Sequence, residues 1–169
     1  SKTALESSQT VGVMMVRHED GSWSNPSLIR LGNLGIGFQW GVQGADLIAE
    51  TRKGKQVVNL KAGSRLTIAR MIGEAHDTLA VMGDNRKMAI FPLAELPEMT
   101  RGQGVMLQRY RDGGLADAIT LTLADGLSWA MGGESGRTRT ESDLTLWRTA
   151  RGAAGRMAPS GFPRDNRFG

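Results

Sequence analysis

Apolar and polar positions in this chain alternate over short runs, and few stretches keep a helical period for more than two turns. Such a pattern predicts many brief strands joined by tight turns. Residues 11–17 and 27–31 read as strands around the turn His18-Glu19-Asp20-Gly21. Residues 32–44 are punctuated by glycine, with Phe38 and Trp40 on one face at period two and Gln39 on the other. Further on, 56–60 and 65–71 flank a turn at Ala62-Gly63-Ser64, and 78–82 and 87–91 flank Gly83-Asp84-Asn85-Arg86, a hairpin with turn residues where turns need them. Pro92 and Pro97 bracket residues 93–96, too short for a helix and readable as a single turn. Residues 105–111 and 118–123 read as strands, and 127–131 with 137–140 as a last hairpin. Residues 142–150 read as a short helix carrying Trp147, and 151–169, which lack any period, as an extended or mobile tail.

The strands come in repeats. Asp46-Leu47, Glu95-Leu96 and Asp143-Leu144 follow one another at 49 and 48 residues, each after a run rich in β-formers. The first two are followed by Thr51-Arg52-Lys53-Gly54-Lys55 and Thr100-Arg101-Gly102-Gln103-Gly104. A period near 50 built from strands predicts an all-β, propeller-like array whose blades cannot bury their faces alone.

Composition adds to this in three ways. The 169 residues suffice for one domain or two small ones, and 23 glycines suit frequent tight turns. The lack of cysteine excludes a disulfide framework and thiolate metal sites and fits a reducing cytoplasm. No apolar run is long enough to span a membrane, there is no signal-peptide core, and the absence of an initiator Met reads as a fragment. Charge is unevenly distributed. Residues 1–45 balance Lys2, Arg17 and Arg30 against Glu6, Glu19 and Asp20, so the net charge of +4 arises from the repeat region and the tail. In the tail, Arg151, Arg156, Arg164 and Arg167 face Asp165 alone. A basic excess so placed favours a polyanion, nucleic acid before membrane.

From about Asp46 onward the chain resembles the C-terminal domain of the A subunit of bacterial DNA topoisomerase IV. The likeness lies in Glu50-Thr51-Arg52-Lys53-Gly54-Lys55-Gln56-Val57-Val58-Asn59-Leu60, in Gly83-Asp84-Asn85-Arg86-Lys87 and in residues 91–104 (FPLAELPEMTRGQG). The closing run 161–169 (GFPRDNRFG) is similar to that family's natural terminus. The resemblance implies a β-pinwheel of two to three blades with a basic rim that bends double-stranded DNA. Arg52-Lys53-Gly54-Lys55 and Arg101-Gly102-Gln103-Gly104 resemble degenerate forms of the basic glycine-rich box of gyrase. Residues 11–47 (VGVMMVRHEDGSWSNPSLIRLGNLGIGFQWGVQGADL) instead resemble the middle of a SYLF, or Ysc84-type, lipid-binding domain. The implied division is 1–45 SYLF-like β segment, 46–150 pinwheel blades and 151–169 basic extended tail, with a chimeric join near residues 44–50. An incomplete blade set implies closure by the N-terminal segment or by homo-oligomerisation through unpaired edges.

The candidate DNA contacts are Arg52, Lys53, Lys55, Arg101, Gln103, Arg109 and Arg111, with Gly54, Gly102 and Gly104 letting the backbone approach phosphates. Phosphate contacts position without reading bases, so binding is expected to be sequence-tolerant and salt-sensitive. Tyr110 is not read as a cleavage nucleophile, since that family's nucleophile lies in a separate module; a half-buried aromatic is expected. His18 and His76 read as turn residues beside acids, without metal-ligand spacing. The four tryptophans read as core. Gly35-Ile36-Gly37-Phe38 lacks a third glycine at the right offset and a following helix, so it is no nucleotide loop. No cofactor, metal or catalytic centre is expected. Three functions stay open: a non-catalytic DNA-binding and DNA-bending domain of a type IIA topoisomerase, a folding chimera without native activity, and a SYLF-type lipid-binding or scaffold protein. Membrane lipid is the least favoured partner.

Overall fold

The computed structural model describes residues 12–18, 27–29, 42–43, 46–47, 55–56, 64–97, 105–111, 113–131 and 136–169. Among them are twelve strands and three single 3-10 turns, with no α-helix. The strands are β1 (Gly12–His18), β2 (Ser27–Ile29), β3 (Val42–Gln43), β4 (Asp46–Leu47), β5 (Lys55–Gln56), β6 (Ser64–Met71), β7 (Thr78–Gly83), β8 (Lys87–Pro92), β9 (Leu115–Leu121), β10 (Leu127–Ala130), β11 (Thr138–Glu141) and β12 (Arg156–Met157). They form four small sheets, all antiparallel: β2-β1-β6, β3-β4-β5, β12-β8-β7-β9 and β10-β11. The predicted all-β class holds.

The chain folds as two compact units. The first comprises Ser1–Glu74 with Leu96–Val105. Its largest sheet is centred on β1, which pairs with β2 on one side and along its whole length with β6 on the other, broken by a bulge at Met15/Val16. The strand from the SYLF-like segment is thus hydrogen-bonded to one from the pinwheel-like segment.

The second unit, Ala75–Glu95 with Met106–Gly169, holds the main apolar cluster among the described residues. Strand β7 is buried at every position, as a strand paired on both sides and covered on both faces must be. Ala80 and Met82 sit on one face with their register neighbours Ile90 and Met88, and join Leu121, Leu127, Trp129, Leu144 and Trp147 in one cluster. The opposite face carries Leu79 and Val81 against Phe91 and Ala89. The β7–β8 turn forms as its residues require: Arg86 takes a positive φ of 62° and donates its N–H to Gly83 O, while Asn85 Oδ1 accepts from Lys87 N. The second and third repeat marks each adjoin a 3-10 turn, at its end in one case and at its start in the other. Glu95 closes the 3-10 turn Leu93–Glu95 after β8 and Leu96 is buried; Leu144 is buried and opens the 3-10 turn Thr145–Trp147 after β11.

Three expectations are corrected. Residues 105–111 form no regular strand among the described residues. They run beside 151–153 with only two backbone bonds, Gly152 N to Leu107 O and Arg109 N to Ala153 O, because Gly152 at φ 87° turns the partner segment out of the ladder. Residues 142–150 give a single 3-10 turn rather than a short helix. Asp143 Oδ1 caps Thr145 N, the three-residue spacing of Leu144 and Trp147 suits that tighter winding, and Thr149 N leaves it to bond Ile90 O. The tail packs against the core instead of standing away from it. Residues 151–169 have almost no regular structure, yet Phe162 and Phe168 are 3% and 2% exposed and belong to the main cluster. Phe162 lies 5.3 Å from the Trp129 ring and 5.4 Å from Phe168. Two such rings bury enough apolar surface to stabilise the unit by about 1.5–3 kcal/mol each.

Candidate nucleic-acid interface

Arginine plays two roles in the second unit. Three of these side chains are bonded to the chain's own carbonyls. Arg86 donates to Phe162 O, Pro163 O and Asn166 Oδ1; Arg151 donates to Glu95 O and Met106 O; Arg139 donates to Ser160 O and lies 5.8 Å from the Trp129 ring centre. The others are exposed and hold no side-chain partner among the described residues: Arg109, Arg111, Arg137, Arg148, Arg156, Arg164 and Arg167. Guanidinium groups of this second kind are free to take phosphate oxygens.

The sequence-derived site is only partly visible. Arg109 and Arg111 lie in the described part, both exposed, on either side of the half-buried Tyr110. Period-two alternation along an extended segment turns the two cations outward and the ring inward. Lys55 lies on β5, opposite Leu47 of β4. Arg52, Lys53, Arg101 and Gln103 fall outside the described residues.

The segment carrying Arg109 and Arg111 is fixed by its neighbours. Gln108 is fully buried and its Nε2 donates to Lys87 O (3.0 Å) and Ala154 O (2.9 Å), tying β8, its own segment and the 152–155 loop together. Tyr110 packs near Gly83, and burial, with Asp84 nearby, pushes its phenol far above the ordinary value. His76 is not a freely solvated turn residue: its Nδ1 lies 2.7 Å from Thr120 Oγ1 on β9. Among the described residues no group of three His, Cys, Asp or Glu could hold a metal ion, and no helix is long and apolar enough to cross a membrane.

Sequence reasoning missed the carbonyl-bonded arginines. Arg86 read as a turn residue, and nothing local shows that its guanidinium reaches residues 76 to 80 positions later.

Relatives settle the lineage. The A subunit of DNA topoisomerase 4 from Caulobacter vibrioides is 41% identical over 123 residues, 73% of this chain and 16% of the relative. Its namesake in Rickettsia bellii is 35% identical over 141 residues, 83% of this chain and 18% of the relative. The chain is a homologue of the topoisomerase 4 A subunit. It spans less than a fifth of the length of either relative. An alignment taking in 141 of the 169 residues necessarily reaches into residues 1–45, so the topoisomerase kinship does not stop at the SYLF-like stretch. Among solved structures, the E. coli ParC C-terminal domain superimposes with a TM-score of 0.60 at 19% identity, covering 94% of this chain and 58% of that one. At that identity the likeness speaks for the fold, which is the propeller-like β-pinwheel. No protein-family model matches the chain.

Proposed function

We propose that this chain is a non-catalytic domain of a topoisomerase A subunit that binds and bends double-stranded DNA through sequence-tolerant contacts to its phosphates. The observation that carries the reading is the 41% identity to the A subunit of a DNA topoisomerase 4, extending over most of the chain. The arginines of the second unit that are exposed, with no side-chain partner among the described residues, support it. Guanidinium groups on an extended, glycine-rich surface match the backbone of a duplex without reading its bases. In this reading Arg109 and Arg111 contact phosphates, as do Arg52, Lys53, Lys55, Arg101 and Gln103, and the SYLF-like segment contributes strands rather than a lipid site.

Duplex binding measured across a salt series tests it. If about six phosphates are engaged, log K falls against log salt with a slope of roughly −5. Reversing Arg52, Lys53 and Lys55 to glutamate together should abolish retardation of the duplex. Binding that is absent at low salt, or indifferent to these reversals, would end the DNA reading. Liposome co-sedimentation surviving high salt would instead support the SYLF-type function.

A further inference from the structure

The segment 162–168 is built like a held loop. Phe162 and Phe168 are buried at its ends, while Arg164, Asp165 and Arg167 between them are exposed. Asn166 N donates to Pro163 O at 3.1 Å and Asn166 adopts φ 61°, so the residues between the anchors form a tight turn. Arg86 grips this turn from inside. Its Nη2 donates to Phe162 O at 3.1 Å, and its Nη1 to Pro163 O at 3.0 Å and Asn166 Oδ1 at 3.1 Å. The one acid in the loop faces the chain's own backbone: Asp165 Oδ1 accepts from Arg167 N at 3.1 Å. Arg164 and Arg167 are left exposed, three residues apart on a fixed backbone, with no side-chain partner among the described residues.

We propose that the Pro163–Arg167 loop is a phosphate-contacting element in which Arg164 and Arg167 each take a phosphate of duplex DNA, with Arg86 as the residue that positions them. This inference rests on the duplex-DNA reading above and names a contact outside the glycine-rich boxes of the sequence. A surface loop gripped by a three-bond guanidinium keeps its cations near one geometry, which lowers the ordering cost of binding. Three of the five N–H donors of Arg86 are already taken by the chain's own acceptors, so its part is indirect.

The test is the salt slope of duplex binding by the full chain, a quantity that counts phosphates engaged and is insensitive to the fraction of protein that is active. Arg164→Ala/Arg167→Ala should make the slope shallower by about 1.8, two phosphates at about 0.9 each. Arg86→Lys keeps the charge but loses the planar fork, and should produce much of the same change with an unaltered circular dichroism spectrum. In the Arg164→Ala/Arg167→Ala background, Arg86→Lys should change the slope no further. If the parent binds with a steep slope that Arg164→Ala/Arg167→Ala leaves intact, the loop is not a contact and the inference fails while the DNA reading stands. If Arg86→Lys still flattens the slope in the double-alanine background, Arg86 does not act through the loop. A parent showing no salt-dependent duplex binding brings down the reading and this inference together.

Discussion

Within the second unit, the β8-β7-β9 sheet and the segment 151–169 both send apolar side chains into the core, and they do so by opposite routes. The sheet does so by period: β7 and β8 alternate faces, register pairs such as Met82–Met88 and Leu79–Phe91 share a side, and every residue of β7 is covered. The terminal segment has one two-residue strand and no period, and it docks through two aromatic anchors and through side-chain bonds made by distant residues. Arg86 and Arg139 donate to its carbonyls, Asp117 Oδ2 accepts from Phe168 N, and Phe168 O accepts from Ala130 N. Periodicity is therefore a sufficient sign of burial in this protein and not a necessary one.

That comparison breaks most directly at Phe162. If the terminal segment is as much a part of the core as the sheet, Phe162→Ala should cost about 3–5 kcal/mol, in the same range as the roughly 2–5 kcal/mol expected for Ile90→Ala in β8. Urea unfolding of the full chain, followed by tryptophan fluorescence, measures both. A loss under about 0.5 kcal/mol for Phe162→Ala would place it with ordinary surface changes and show that the segment merely rests on a finished core.

This contrast also marks what could be read from the amino-acid order. The hairpins β7–β8 and β10–β11 were legible because alternation and turn residues act locally: Gly83-Asp84-Asn85-Arg86 specifies its own turn, and Leu127 and Trp129 mark one face by themselves. Tyr110 was legible as half-buried from residue type alone, since tyrosine packs its ring. The docking of 151–169 was not. Its stabilising partners are dozens of residues away, and Phe162 and Phe168 are six apart with Arg164 and Asn166 at the intervening alternate positions, so no apolar run marks a face. Likewise the candidate contacts Arg109 and Arg111 stood out as cations beside glycine-rich turns, whereas the separation of free arginines from carbonyl-bonded ones depends on tertiary reach that no local pattern encodes.

A smaller effect sharpens the account of how the terminal segment enters its site. Gly155 has φ +81°, and a Cβ there would overlap the Met88 carbonyl and crowd Gln108 Nε2. Gly136 also has a positive φ, of 59°, with nothing within 4 Å of a built Cβ. Gly155→Ala therefore carries backbone strain plus a clash and should cost roughly 2–3 kcal/mol, while Gly136→Ala carries strain alone and should cost about 1 kcal/mol. Equal losses in urea midpoints would mean that the close approach of the 152–155 loop to β8 contributes nothing.

The smallest effect is electrostatic and belongs to the sheet. Asp77 stands just before β7, where its Oδ1 accepts from Leu123 N at 2.9 Å and from Thr78 Oγ1 at 2.8 Å. The backbone bond from Leu123, followed by the Thr78 hydroxyl, holds this carboxyl below its ordinary value of 3.8. The sign follows from linkage: the unfolded chain takes up the proton at a higher pH than the folded one, so ionised Asp77 favours the fold above the ordinary carboxylate range. That contribution is lost as pH falls from about 4 through the lowered value. Asp77 is exposed, which keeps the effect small. Asp77→Asn should accordingly lower the urea midpoint slightly at pH 7 and flatten its decline below about pH 4. A variant whose acid profile overlays the parent's would mean that the Asp77 bonds are equally strong when the group is neutral, and that acid sensitivity in this unit originates elsewhere.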